Sequence, residues 1–464
     1  MLDPTDYAQL DAVGLRELMA NGEVSAAEVE EAARVALTSV ADDLGALTQP
    51  LFETALAHEA DGPLGGVPFV IKDSGPFARG VPFAFGSRAI HGVADADHEL
   101  MSRFRRAGLA AIGQTCAPEL GLNFATESRR YGVTRNPWNR ERGVGGSSGG
   151  AAALVASGAV PVAHGSDGAG SIRIPAACCG VVGLKPSRGT TTSGPPVRGG
   201  LPMGVDFAVT RTVRDTAVLL DAAATPDTIR SPAGPYAKLV IVDPGRLRIG
   251  FATESWAGVD VDAEIAAVTR GVADTLDWIG HDVAETTPAI DQREVVDALL
   301  LAIHAAGRAL LLAPRRPETR LLEAVSRSIV AETAAMTDED VDRFALGQRH
   351  VTTSVERSFD GLDLLVMPVT AQLPLRHGTL DYDDPRWAAR TWIERILEYG
   401  PFTAAFNVSG HPAISLPLGQ SRSGMPIGVQ LVARIAREDL LVQVAGQLEQ
   451  AMPWAGRQPP IFAG

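Results

Sequence analysis

The chain has 464 residues, 45% of them hydrophobic and 21% charged, a globular composition with ample apolar material for a core. Its formal net charge of −14 argues against a nucleic-acid or anionic-membrane partner, since both need clustered Lys and Arg. The cysteines Cys116, Cys178 and Cys179 offer neither a disulfide framework nor metal-ligand spacing, and they read as core thiols.

The N-terminus, Met1-Leu-Asp-Pro-Thr-Asp6, is acidic and has no basic stretch followed by an apolar one, so no signal peptide is expected. No uninterrupted apolar run reaches the roughly 18–20 residues of a membrane span, and the expected location is cytoplasmic. Asn21-Gly22 closes a short helix containing Leu15 and Leu18. Ser25-Ala-Ala-Glu28 fits a capping box, in which each side chain satisfies the other residue's backbone N–H. Val29, Ala32, Ala33 and Ala36 follow at helical spacing.

Val67 to Ile71 is a short apolar run that predicts a buried strand with Lys72 at its end. Ala110 to Gly113, Val160 to Ala163 and Val181 to Leu184 predict further strands, and Ala151 to Ser157 a small-residue helix. The Gly, Pro, Thr and Ser content of Thr190 to Val205 predicts a long surface loop, with a second connection at Ser231 to Pro235. Thr212 to Ala222 is helical in pattern, and so is the face formed by Ile265, Val268, Val272, Leu276 and Ile279. Leu247 to Phe251, Leu362 to Pro368 and Pro412 to Pro417 complete the strand set. Strands alternating with helices predict an α/β sheet covered on both sides. With no repeat or linker in sight, the expectation is one domain over residues 1–464, its N-terminal helices (about 1–60) packed on the core.

The densest chemical signal is Gly145-Gly-Ser-Ser-Gly-Gly150, followed by Gly165-Ser-Asp-Gly-Ala-Gly-Ser171. A serine inside such a turn reads as a nucleophile beside backbone N–H groups able to hold an oxyanion. It still needs a base. Gly146-Ser-Ser-Gly-Gly150 matches the Gly-x-Ser-x-Gly elbow, with Ser148 at its centre, but His411 has no evident carboxylate to orient it. Lysine is the other base that serine enzymes use, provided burial keeps it neutral. Lys72, bracketed by Pro68 and Gly75, has that setting, and an ion pair with Asp73 is the competing reading.

Val67-Pro-Phe-Val-Ile-Lys-Asp73, the two glycine-serine turns, Ile172-Arg-Ile-Pro-Ala176 and Val182-Gly-Leu-Lys-Pro186 together resemble the amidase signature family, and the likeness runs to Gly428-Val-Gln-Leu431. The resemblance implies a three-layer α/β/α fold with a mixed central sheet, and amide hydrolysis without a cofactor or metal through a Ser–cis-Ser–Lys triad. On this chain it implies Ser171 as nucleophile, Ser147 after a cis peptide as bridge and Lys72 as base. It implies an oxyanion hole from the backbone of Gly168, Ala169, Gly170 and Ser171. Ser148 supports the bridge, and Asp167 with Arg173 is expected as a buried scaffold pair. Ala169 replaces a glycine common at that position, which is tolerable only at negative φ. That alanine, Pro161-Val-Ala-His-Gly165 and Phe406-Asn-Val-Ser-Gly410 resemble the cyclic-amide hydrolase branch of the family.

For the pocket, Thr126, Tyr131 and Trp392 are the candidates, with Trp387, Trp392 and Tyr399 in an expected lid. Arg386, Arg390 and Arg395 have Asp381, Asp383, Asp384, Glu394 and Glu398 close by to neutralise them. A pocket without a free cation favours an uncharged acyl group, because an unpaired buried carboxylate is costly. The expected partners are therefore a small neutral amide, ester or carbamate and water, acted on by a monomer or homodimer. A glutamine-hydrolysing subunit of a tRNA-dependent amidotransferase is the rival enzyme. A non-catalytic anion-binding module is the rival outside enzymes.

Overall fold

A computed structural model describes residues 2–193, 198–225 and 234–464. The strands of its main sheet, in chain order, are β1 (Pro68–Lys72), β2 (Ala110–Thr115), β3 (Val162–Asp167), β4 (Val182–Lys185) and β5 (Val205–Thr210). They continue as β6 (Arg248–Phe251), β7 (Asp282–Glu285), β8 (Leu364–Pro368), β9 (Ala413–Gln420) and β10 (Pro426–Ala433). Across the sheet they lie in the order β7-β6-β8-β10-β9-β4-β5-β3-β1-β2, and Thr192–Ser193 adds a short pairing to β5. β1 runs parallel to β2 and β3, and β6 parallel to β7 and β8; every other pairing on the path is antiparallel. The sheet is therefore mixed, as the family likeness implies.

Strand alternation gives the sheet two faces. Gly183, Ser415 and Gln430 stand side by side in register on one of them, under the Arg173–Cys179 helix. The contact is close enough that a Cβ on Gly183 would lie 2.6 Å from that of Ala176. On the opposite face Val268, from the Ala263–Trp278 helix, presses within 2.5 Å of where a Cβ on Gly419 would stand. Helices on both faces complete the three layers.

The N-terminal helix Ala26–Leu44 starts with the expected capping box, Ser25 N–H donating to Glu28 Oε2 at 2.9 Å and Glu28 N–H to Ser25 Oγ at 3.2 Å. Its buried face, Val29, Ala32, Ala33 and Ala36, extends through Leu37, Val40 and Leu44 onto β1 and the Gly149–Ala156 helix. One expectation is narrowed. Within the loop expected over Thr190 to Val205, Thr190, Thr191 and Met203 are buried, Arg198, Gly199 and Leu201 are exposed, and β5 starts at Val205; residues 194–197 lie outside the described residues. The connection expected at Ser231 to Pro235 lies largely outside them too. Among the described residues one helix, Gln292–Leu312, has the length and hydropathy to cross a membrane, but half of its most apolar window is buried. It packs against Ala324–Ala335, Asp338–Arg357 and Ala389–Tyr399.

Candidate active site

β1 is buried along its whole length between β2 and β3, which carries Lys72 to its C-terminal end only 1% exposed. Its Nζ lies 2.7 Å from Ser147 Oγ, 3.1 Å from Ser148 Oγ and 2.8 Å from Ser166 Oγ. Burial lowers its pKa to about 7, against the pull of the Asp206, Asp167 and Asp73 charges. The alternative pairing with Asp73 does not form. That carboxylate turns away and accepts from Ala84 N–H at 2.8 Å, Gly86 N–H at 2.6 Å and the Tyr131 hydroxyl at 3.1 Å. The chain has only three lysines. Lys185 is also buried, with a pKa lowered to about 7, but its Nζ donates to the Pro186 carbonyl at 2.9 Å and touches no hydroxyl. Lys72 alone meets the serines.

The Gly146–Ser147 peptide is cis. The glycines around it answer to packing as much as to any ligand: a Cβ on Gly149 would fall 2.2 Å from Thr126 Oγ1. Thr126 is buried, and its hydroxyl donates to the Gly145 carbonyl at 2.8 Å and accepts from Gly149 N–H at 3.1 Å. Expected in the pocket, Thr126 instead clamps the serine turn. The second turn docks on the first, Ser148 N–H donating to the Ser171 carbonyl at 3.1 Å. Ser147 is 2% exposed and Ser171 5%.

Asp167 ends β3 and organises the turn that carries Ser171. Its carboxylate accepts from Gly170 N–H at 2.6 Å, Ile172 N–H at 3.2 Å, Arg173 Nε at 2.9 Å and Asn407 Nδ2 at 3.0 Å. Burial pushes its pKa up, and Arg173 and its other donors more than reverse this, leaving it at about 2. Arg173 is fully buried and also donates to the Thr403 carbonyl at 3.0 Å, Gln430 Oε1 at 3.2 Å and Asn407 Oδ1 at 2.6 Å. The expected scaffold pair exists and has more partners than the sequence suggested.

One expected oxyanion donor must be corrected: the Gly170 N–H is directed at Asp167, inside the turn. Gly170 has φ +134, and a Cβ there would lie 2.4 Å from Thr403 Oγ1, whose hydroxyl donates to the Ala169 carbonyl at 2.6 Å. Ala169 is absent from the residues with positive φ, so the alanine sits unstrained.

Trp392 is also corrected. It is 1% exposed, donates Nε1–H to the Leu122 carbonyl at 2.8 Å and packs edge-on against Tyr382 and Trp387, a core anchor and not a pocket wall. Tyr399 is buried against Cys178, its hydroxyl 3.1 Å from the thiol sulfur. Tyr131 does line a cavity, beside Asp73. The arginines of the expected lid are neutralised, Arg386 by Asp384 at 2.6 Å, Arg395 by Glu398 at 2.5 Å and Arg390 by Asp297, a partner the sequence did not suggest. Ser166, Thr403, Asn407 and Gln430 were missed. All but Thr403 lie within the quoted motifs, so the signal was present without its role.

The sequence profile of the family described as Amidase matches residues 26–442, and the chain belongs to that family. It is an amidase, a hydrolase of linear or cyclic amide C–N bonds. It is 39% identical to the 6-aminohexanoate-cyclic-dimer hydrolase of Paenarthrobacter ureafaciens over 97% of both chains. A solved structure of 6-aminohexanoate cyclic dimer hydrolase complexed with substrate superposes with TM-score 0.91 at 37% identity, covering 98% of this chain and 99% of that one. A bacterial aryl acylamidase of the amidase signature family superposes with TM-score 0.83 at 26% identity, covering 96% and 97%.

Proposed function

We propose that the protein hydrolyses neutral aliphatic or aryl amides through an acyl-enzyme on Ser171, with Ser147 as proton relay and Lys72 as base. The observation that carries this is the 2.7 Å contact between Lys72 Nζ and Ser147 Oγ, in a buried setting that lowers the amine's pKa to about 7 and so leaves roughly half of it neutral at that pH. The neighbouring hydrogen bonds favour one proton direction. Ser148 Oγ donates to the Ser166 carbonyl at 3.2 Å, so towards Lys72 it acts as an acceptor. A neutral amine with its two N–H groups directed to Ser148 and Ser166 has one lone pair left, for the Ser147 hydroxyl.

In the reaction Ser147 passes its proton to Lys72 and takes that of Ser171, whose oxygen attacks the carbonyl carbon. The N–H groups of Gly168, Ala169 and Ser171 stabilise the oxyanion, Gly170 being occupied by Asp167. Protonated Lys72 returns the proton through Ser147 to the departing amine as the C–N bond breaks, and water then repeats the cycle on the ester. Esters and carbamates fall to the same chemistry as secondary substrates. The paired lid arginines favour an uncharged acyl group over free glutamine, and likeness to a cyclic-dimer hydrolase makes cyclic aliphatic amides a leading substrate class. The test is a pre-steady-state release of chromophore from an uncharged anilide, with kcat/KM beside glutamine and a cyclic diamide. A burst of up to one equivalent, absent in Ser171→Ala, is expected; a preference for glutamine would move the reading to an amidotransferase subunit.

A further inference from the structure

A cavity of about 570 Å3 opens beside Asp73, the residue after Lys72, and no residue of the triad lines it. Its volume suits a small organic molecule. Two guanidinium groups, Arg130 and Arg315, border it. On a chain of net charge −14 many arginines find a carboxylate, as those of the 386–395 segment do. Arg130 and Arg315 do not: among the described residues neither has a carboxylate within 4.0 Å. Arg130 Nη1 donates to the Ser87 carbonyl at 3.1 Å and lies 3.5 Å from His91 Nδ1, while its Nε is buried with no acceptor. With no carboxylate against them, the two guanidinium groups carry charge that an arriving anion can pair with.

The lining contains one carboxylate, Asp73, and it cannot serve, since Ala84 N–H, Gly86 N–H and the Tyr131 hydroxyl already occupy it. The walls are of a different character. Phe83 packs in a trio with Phe77, tilted at a centroid distance of 4.7 Å, and Phe85, edge-on at 5.6 Å. Tyr131 lies under the Arg130 guanidinium, 5.3 Å from its ring centre. Cationic groups above aromatic walls suit a ligand that is anionic at one end and hydrocarbon along the rest.

We propose that this cavity is a binding site for aliphatic monocarboxylates, the carboxylate held by Arg130 and Arg315 and the chain lying on Phe83 and Tyr131. The acid released by amide hydrolysis belongs to this class, but the site stands apart from the triad and does not depend on it.

Calorimetric titration of the Ser171→Ala protein with hexanoate, hexanamide and inorganic phosphate tests the proposal. Hexanoate binds one to one. Arg130→Ala and Arg315→Ala, made in that background, each weaken it by about tenfold or more, as loss of a charge-assisted hydrogen bond does. Raising the salt to 0.5 M weakens it as well. Arg315 is exposed, so its variant keeps the test open should Arg130→Ala fail to fold. Hexanamide binding as tightly as hexanoate would overturn the role of the charge. Phosphate binding as tightly would overturn the role of the walls. No hexanoate binding, or binding unchanged in the double arginine variant, would overturn the site. Because the readout is binding to a protein without its nucleophile, these results are independent of whether the chain turns over amides.

Discussion

Replacing Asp167 by asparagine removes one negative charge from a fully buried site and leaves the Arg173 guanidinium, also fully buried, without its counter-ion. The new amide presents an NH2 where the carboxylate accepted from Gly170 N–H, Ile172 N–H and Arg173 Nε, so at least one donor faces another donor. Breaking a buried pair in this way costs about 3–5 kcal/mol. The entropy of unfolding is about 2 cal/mol/K per residue, or about 1 kcal/mol/K for this chain, so Tm should fall by about 3–5 °C. Turnover should fall further than stability accounts for, since the Asp167–Gly170 bond shapes the turn that presents Ser171. Differential scanning calorimetry and anilide hydrolysis at pH 7 measure both. A Tm within 1 °C of the parent with unchanged kcat would refute the reasoning, because the carboxylate would then be dispensable to both the guanidinium and the turn.

Ser171→Ala, Ser147→Ala and Lys72→Ala should each lower kcat/KM by several powers of ten, with double variants little worse than the worst single, as groups acting as one unit behave; additive losses in the doubles would count against a unit. Lys72 acts as a base only when deprotonated, and burial sets its pKa at about 7, so kcat/KM for an uncharged anilide should rise with pH through about 7 and then level. A rate that falls from pH 6 to 8 in the folded protein would contradict that sign. Gly170→Ala forces a Cβ onto Thr403 at a φ of +134 and should lower kcat by about 100-fold or more by displacing the oxyanion donors, with a Tm loss of about 1–3 °C. Trp392→Ala should lower Tm by about 3–5 °C, the loss of a large buried side chain, with KM little changed; a selective KM effect would return Trp392 to the pocket.

Local chemistry was legible where one residue type had a single task. The capping box at Ser25 and Glu28 closes within one helical turn, and the apolar run before Lys72 announces its own burial, so both could be read without knowing the fold. Lys72, Ser147 and Ser148 were grouped through the family resemblance; their own surroundings left Lys72 open between a base and an ion pair with Asp73. Contacts between distant segments were not legible. Trp392 has the aromatic face of a pocket wall and the burial of a core residue, and only the Leu122 carbonyl 270 positions away decides between them. Thr126 looks the same in sequence whether it lines a pocket or grips Gly145 and Gly149. Ser166 and Asn407 are short polar residues inside motifs that were quoted, but no periodicity marks a side chain whose partner arrives from another strand or helix. β5 was lost in part to its own neighbours, because the glycines and prolines before Val205 argue for loop while pairing with β3 and β4 argues for strand.

The partners of Arg173 have a consequence for when the protein can begin to work. Every residue of the expected triad has been synthesised by position 171, yet the guanidinium that braces the Ser171 turn bonds Thr403, Asn407 and Gln430, 230 to 257 residues further on. A nascent chain released or stalled before the strand containing Gln430 carries all three side chains of the expected triad and an unbraced, charged arginine beside them. At the usual pace of translation, about 5–20 residues per second, that interval lasts tens of seconds at most. During it the growing polypeptide holds the expected triad in an unfinished frame, and the C-terminal strands complete the buried hydrogen bonds around Arg173.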